Sequence, residues 1–183
     1  LQQLLVGSGD FDAKSESLDS EIDTLLATGF TVANQSQKVM ATPSRNYAQE
    51  IENSSGFIWS RWLAKHTNMS RLVARRRANF SHWLRTVDGL PNCKPIFSDL
   101  PDDVIPYMFP LYIEDPDTHF YFLKHLGVPV WRWDELAMSD CKSANDYRLR
   151  LLHLPCHQEL SHQEMAWMTT AVSKVMKIST RSR

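Results

Sequence analysis

The chain has 183 residues, of which 43% are hydrophobic and 22% charged, with 20 Lys/Arg against 21 Asp/Glu for a formal net charge of -1. That composition suits one domain, or one domain with an appendage, and excludes wholesale disorder, collagen and a coiled-coil rod. Near-neutral charge also argues against a nucleic-acid binder held by bulk positive potential.

In chain order, Leu18, Ile22, Leu25 and Leu26 recur at helical spacing with Gly29 as a C-cap, which predicts one short amphipathic helix. Residues 31–43 are rich in Gln, Ser, Asn and Thr and end at Pro43, so 1–43 reads as a weakly patterned segment and linker. A helical segment follows over 44–91. Ser44 caps a first helix bearing Tyr47, Ile51, Ile58 and Trp62, with Ser54-Ser55-Gly56 as an interruption. A second helix runs from Asn68 to Val87, its stripe being Met69, Leu72, Val73, Phe80, Trp83, Leu84 and Val87, stopped by Gly89 and Pro91. From residue 92 the pattern changes to short strands and helices. Lys94 to Phe97, Tyr107 to Ile113, Val128 to Trp131 and Leu149 to Leu154 read as strands. Pro110 lacks a donor, which predicts an edge or a bulge in the second of them. A helix starts at Asp115-Pro116 and closes at Gly127, and helix and loop fill 134–147. Ser161-x-x-Glu164 is a capping box opening a last helix with Met165, Met168, Val172 and Val175 inward. The expected fold is α+β: a small mixed sheet over 92–176 with helices on one face, preceded by long helices that pack through Trp62, Phe80, Trp83 and Leu84, and followed by a basic tail over 177–183.

Cys93, Cys141 and Cys156 are widely spaced and form no disulfide framework, which points to the cytoplasm. No apolar run reaches the roughly 18 residues of a membrane span, so neither a membrane nor a nucleic-acid partner is expected. The first six residues are too short and lack the basic lead of a secretory signal. A start at Leu1 in place of Met leads us to expect sequence upstream.

Three clusters could carry chemistry. His153-x-x-x-His157 with Cys156, and Cys141 upstream, has zinc-ligand residue types, but His153 and Cys156 point to opposite faces of a strand, so buried Cys and hydrogen-bonded His at a strand end is the reading, with no metal. Arg75-Arg76-Arg77 with Arg71 and Arg85 could hold phosphate or an acidic partner, and reads as a solvated helix face. Trp131-Arg132-Trp133-Asp134 has two readings. Two indoles and a guanidinium suit a planar or anionic ligand. Equally, the indoles could be core, with Arg132 satisfied by Asp134 or Asp140. There is no G-x-S-x-G elbow and no glycine-rich phosphate loop, and Asp99, Asp102 and Asp103 read as an acidic turn.

Four pieces then occur in a characteristic order: Arg76-Arg77-Ala78-Asn79-Phe80, Phe109-Pro110-Leu111-Tyr112, Gly127-Val128-Pro129, and Leu154-Pro155-Cys156-His157 with Leu160-Ser161-x-x-Glu164. Over roughly residues 70–176 this resembles the C-terminal part of the DegT/DnrJ/EryC1/StrS sugar aminotransferases, of pyridoxal phosphate (PLP) fold type I. The resemblance implies a small domain, a PLP cofactor on a lysine of a large domain not included here, and amino transfer to a nucleotide-linked keto-sugar. It also implies a homodimer when intact, a place in polysaccharide biosynthesis, and no activity for this chain alone. Lys38 does not sit in the family's Schiff-base segment. The segment after the Gly-Val-Pro turn lines the substrate side in that family, which marks Trp131, Arg132 and Trp133 as substrate-binding residues with Arg132 toward solvent or ligand. A non-catalytic interaction module that kept the fold is the alternative.

Overall fold

A computed structural model describes residues 11–28, 49–52, 57–133 and 139–179. The 31–43 linker, Lys38, Ser44, Tyr47, Ser54 to Gly56, Asp134 and the end of the basic tail lie outside the described residues. Helix α1 spans Phe11–Thr28, α2 Ile58–His66 and α3 Met69–Val87; strand β1 spans Cys93–Pro95 and β2 Met108–Ile113. Then come α4 (Pro116–His125), α5 (Lys142–Arg150), β3 (Leu151–Pro155) and α6 (His162–Met176).

The sheet has three strands in the order β1-β2-β3, both pairings antiparallel. The expected mixed sheet is thereby corrected. The parallel partner it required is missing because the segment after Gly127 makes only one bridge, Trp131 to His153, and that is antiparallel too. Alternation sorts the faces. Phe109, Leu111, Ile113, Leu152 and Leu154 are fully buried on one side. Against them pack Phe80 and Trp83 of α3 and the Met165, Met168, Val172 and Val175 stripe of α6. Phe80 meets Phe109 edge-on at 4.9 Å. The opposite face is not left bare as expected: Tyr112 there donates its hydroxyl to Asp146 of α5 at 3.0 Å and meets Tyr147 edge-on.

Pro110 lies in the central strand, and β2 pairs with β3 without a bulge. The expectation of an edge fails for a geometric reason. In an antiparallel ladder only alternate pairs exchange hydrogen bonds. His153 exchanges its backbone bonds with Trp131, on the far side of β3, so Pro110 faces β3 at a rung that needs none. The missing donor faces β1 instead, where Ile96 N–H still donates to Pro110 O at 3.3 Å but receives nothing back, and β1 ends at Pro95. By the same alternation the nitrogen of Pro95 points away from β2.

Helix ends follow the sequence. Asp115 caps α4 by accepting from Asp117 and Thr118 N–H. Gly127, at φ 80, closes that helix: Val128 N–H reaches Leu123 O and Gly127 N–H reaches Lys124 O, the paired bonds of a Schellman motif. Ser161 and Glu164 form the reciprocal capping box of α6. Helix α1 begins earlier than the periodicity suggested and lies on α6, burying Leu18 and Ile22 and setting Phe11 5.9 Å from Trp167. Trp62 does not join the core. Every residue of 57–66 is exposed, because α2 finds no neighbour among the described residues.

Candidate functional site

The first and last of the four motifs meet in one network of side chains on main-chain carbonyls and one side-chain amide. Arg75 of α3 donates through Nη2 to Leu160 O at 2.7 Å and through Nε to Gln158 O at 3.3 Å. Arg76 Nε reaches the Gln158 side-chain oxygen at 2.8 Å. One turn on, Asn79 Nδ2 donates to His157 O at 2.8 Å, and Trp83 Nε1 to Pro155 O at 2.9 Å. Helical spacing of 75, 79 and 83 puts these donors on one face, and that face meets the chain leaving β3. Arg77, on a neighbouring face, donates to Leu100, Pro101, Asp102 and Val104 carbonyls. The basic cluster is therefore neither a solvated face nor a phosphate site at Arg75 to Arg77. Its charges hold loops together, while Arg71 and Arg85 remain exposed.

The His/Cys group does not converge either. Among the described residues no three His, Cys, Asp or Glu side chains come together as metal ligands. Cys156 is fully buried, and burial pushes its thiol up to about 12, which disfavours the thiolate that zinc needs. Cys141 instead precedes α5 at an exposed position.

Trp131 to Trp133 leaves α4 through the Gly127 turn and is pinned to β3: His153 N–H donates to Trp131 O at 2.7 Å, and Trp131 N–H to His153 O at 3.4 Å. Alternation then separates the three side chains. Trp131 and Trp133 are 39% and 42% exposed, so they are not core. Trp133 meets the His153 ring edge-on at 4.7 Å, and Lys124 of α4 places its ammonium 5.7 Å from the Trp131 ring centre. Burial lowers the pKa of His153, which favours the neutral ring beside the indole. Arg132 turns the other way, contrary to the expectation that it faces solvent. It is 9% exposed, its guanidinium lies 4.1 Å from the Phe120 ring centre, and Nη2 donates to the Tyr121 hydroxyl at 3.2 Å. From sequence Phe120 reads only as part of the apolar stripe of that helix, with Leu123 and Leu126, and Tyr121 was not singled out; adjacent aromatics on the helix preceding the Gly-Val-Pro turn were the available signal. The segment thus offers two indole faces and one neutral imidazole, with a cation at the side, and Arg132 anchors it.

PLP does not fit on the described residues alone. A Schiff-base lysine sits in an enclosed site where burial can depress its pKa, and no lysine among the described residues is buried. Lys174 is paired with Asp19 at 2.6 Å, and Lys14 lies over Phe11 and Trp167. No reaction step is therefore assigned to these residues.

No protein-family model matches the chain, and no curated protein does. Among solved structures it is similar to the sugar aminotransferase CalS13 from Micromonospora echinospora, at a TM-score of 0.50 and 15% identity, over 58% of this chain and 31% of that one. The chain thus spans about a third of the length of the structure it matches, and what the two share is a fold: the described α+β unit is built like part of a sugar aminotransferase.

Proposed function

We propose that this chain is the C-terminal, small-domain portion of a PLP-dependent aminotransferase of the DegT-like type. In that reading the whole enzyme transfers an amino group to a nucleotide-linked keto-sugar in the cytoplasm, as a homodimer, within polysaccharide biosynthesis. The cofactor and its lysine belong to a large domain, and this chain is inactive without it. The observation that supports the reading is the joining of the motif residues Arg76 and Asn79, with their helix neighbours Arg75 and Trp83, onto residues 155–160, in a unit that shares its fold with part of a sugar aminotransferase. This chain would contribute a substrate-facing surface, with Trp131 and Trp133 stacking on the sugar or base and Arg132 positioning them from behind. When bound, PLP supplies the electron sink for amino transfer; these residues supply orientation.

Borohydride reduction of the native gene product, followed by peptide mapping, tests this. A pyridoxyl-lysine outside residues 1–183 is expected, and the 183-residue chain incubated with PLP and glutamate should show no amino transfer. One pyridoxyl group per chain on a single lysine of residues 1–183, with turnover, would sink the proposal, as would a native product that carries none. The exposed apolar helix α2 favours the second reading, a non-catalytic interaction module that retains the fold.

A further inference from the structure

Helix α2 is exposed along its whole length. Ile58, Trp59, Trp62 and Leu63 fall on one side by helical spacing and are 50–80% exposed, with Phe57, 74% exposed, just before them. The two indoles meet edge-on at 6.3 Å, and Trp62 stacks on His66 at 4.3 Å, so the apolar side is a continuous aromatic surface. Arg61 and Lys65 border it and are exposed. Residues 53–87 contain no Asp or Glu, and Arg71, at the start of α3, is exposed as well. Among the described residues none covers α2, and no side chain of Ile58–His66 is buried.

We propose that α2 is a docking element for an anionic lipid bilayer surface, lying along the headgroup layer with its indoles inserted. Three features select this occupant. Trp and Leu on one side with Lys and Arg beside them is the pattern of a helix that lies in the membrane interface. Indole rings prefer that depth, where an apolar body meets a wet rim. From residue 53 to 87 every charge is positive, with Glu50 and Glu52 lying upstream of that stretch, which matches the negative potential of an anionic leaflet. A protein groove would gain from these cations only with acids placed to match them. The surface mode requires no spanning helix, and none of the described helices is long and apolar enough to span. The expectation of no membrane partner rested on span length alone. This inference stands independently of the aminotransferase reading, since it uses none of the residues assigned there.

The test is flotation of the chain with phosphatidylcholine vesicles, with and without phosphatidylserine. Binding is expected with phosphatidylserine only, accompanied by a blue shift of Trp emission and reversed by high salt. Trp59→Ser with Trp62→Ser should abolish it while leaving the thermal melt unchanged, because neither indole is buried. Arg61→Ala with Lys65→Ala should lower partitioning by about thirtyfold, the loss of two surface cations. Absence of flotation by the unsubstituted chain overturns the proposal. So does equal binding to both vesicle types, or unchanged flotation of the double-serine variant. A dimer in light scattering that dissociates on Trp59→Ser and Trp62→Ser, without vesicle binding, would assign the surface to a second copy instead.

Discussion

Arg77 reaches four carbonyl oxygens of the loop between β1 and β2, at 2.7 Å for Pro101 and Val104, 3.2 Å for Leu100 and 3.3 Å for Asp102. Its ion pair with Asp102 is secondary, since the Asp102 carboxylate is fully exposed. Arg77→Ala should therefore destabilise by about 2 kcal/mol in urea denaturation, the loss of charge-assisted bonds from a partly buried group, while Arg71→Ala and Asp102→Ala change little. Equal effects of Arg77→Ala and Arg71→Ala would refute this. Arg132 shows why residue-level reading has a limit. Strand alternation sets it facing away from Trp131 and Trp133; which side is solvent depended on how α4 packs beneath the segment, and no local pattern states that. Since Phe120 and Tyr121 cover it, Arg132→Ala should cost about 1–3 kcal/mol of stability, where an exposed arginine would cost almost nothing. His119 gives a pH signature. It is fully buried, its Nδ1 has no hydrogen-bond partner, and its Nε2 faces Ile178 O at 3.4 Å, which suits the neutral ring. Burial is the main cause that lowers its pKa below the usual 6.5. The unfolded chain then takes up a proton first as pH falls, so the stability is present above about pH 6.5 and is lost below it. His153 and His82 shift in the same direction, also chiefly by burial. The melting temperature should drop between about pH 7 and about pH 5, and His119→Gln should flatten part of that slope. An unchanged slope in the variant would assign the effect elsewhere.

At the level of elements, helices with both a cap signal and a long apolar stripe were legible. Helix α6 begins where the Ser161 box places it, and Ser161→Ala should cost about 1 kcal/mol by thermal melt, with no change in the fold. Asn68, read from sequence as the start of the helix, is its cap, accepting from Arg71 N–H at 2.9 Å. Helix α1 was legible only over its Leu18 to Leu26 repeat; its first turn is set by Phe11 against Trp167, a pair too distant in sequence for periodicity to reveal. Leu18 is 1% exposed, so Leu18→Ala should lose about 2–5 kcal/mol if α1 is integral to the core; a loss under 1 kcal/mol would make α1 a loosely attached appendage. Helix α2 misled for the opposite reason. Its stripe is as clear as that of α3, but a stripe states only that a face is apolar, and no local signal says what covers it. Amides of 58–66 should exchange hydrogen far faster than those of 69–87, since nothing buries them.

For the whole molecule, the α+β class was legible from the change of period after Pro91, while the sheet's direction was not. Short apolar runs give strand positions without pairings, and the pairings found are β1 with β2 and β2 with β3, both antiparallel, with an isolated bridge at Trp131. At the candidate site the half-exposure of the indoles and the burial of Arg132 against Phe120 and Tyr121 were not legible, because both depend on α4 and β3 and not on the tetrapeptide itself. Of the motifs quoted for the family, Arg76 and Asn79 reach residues 157–158, and Phe80 meets Phe109. Pro95 has a further effect, on behaviour between molecules. Of the three residues in β1, Cys93 and Pro95 direct their main chain outward, and only Cys93 has an amide to offer there. On the far border, the Trp131 bridge already occupies His153. A stray strand from a neighbouring molecule finds too few rungs on either side to extend the sheet, so both borders are guarded against edge-on aggregation. Pro95→Val restores one outward donor, and it should speed the growth of turbidity on heating while leaving the monomer's melting temperature nearly unmoved.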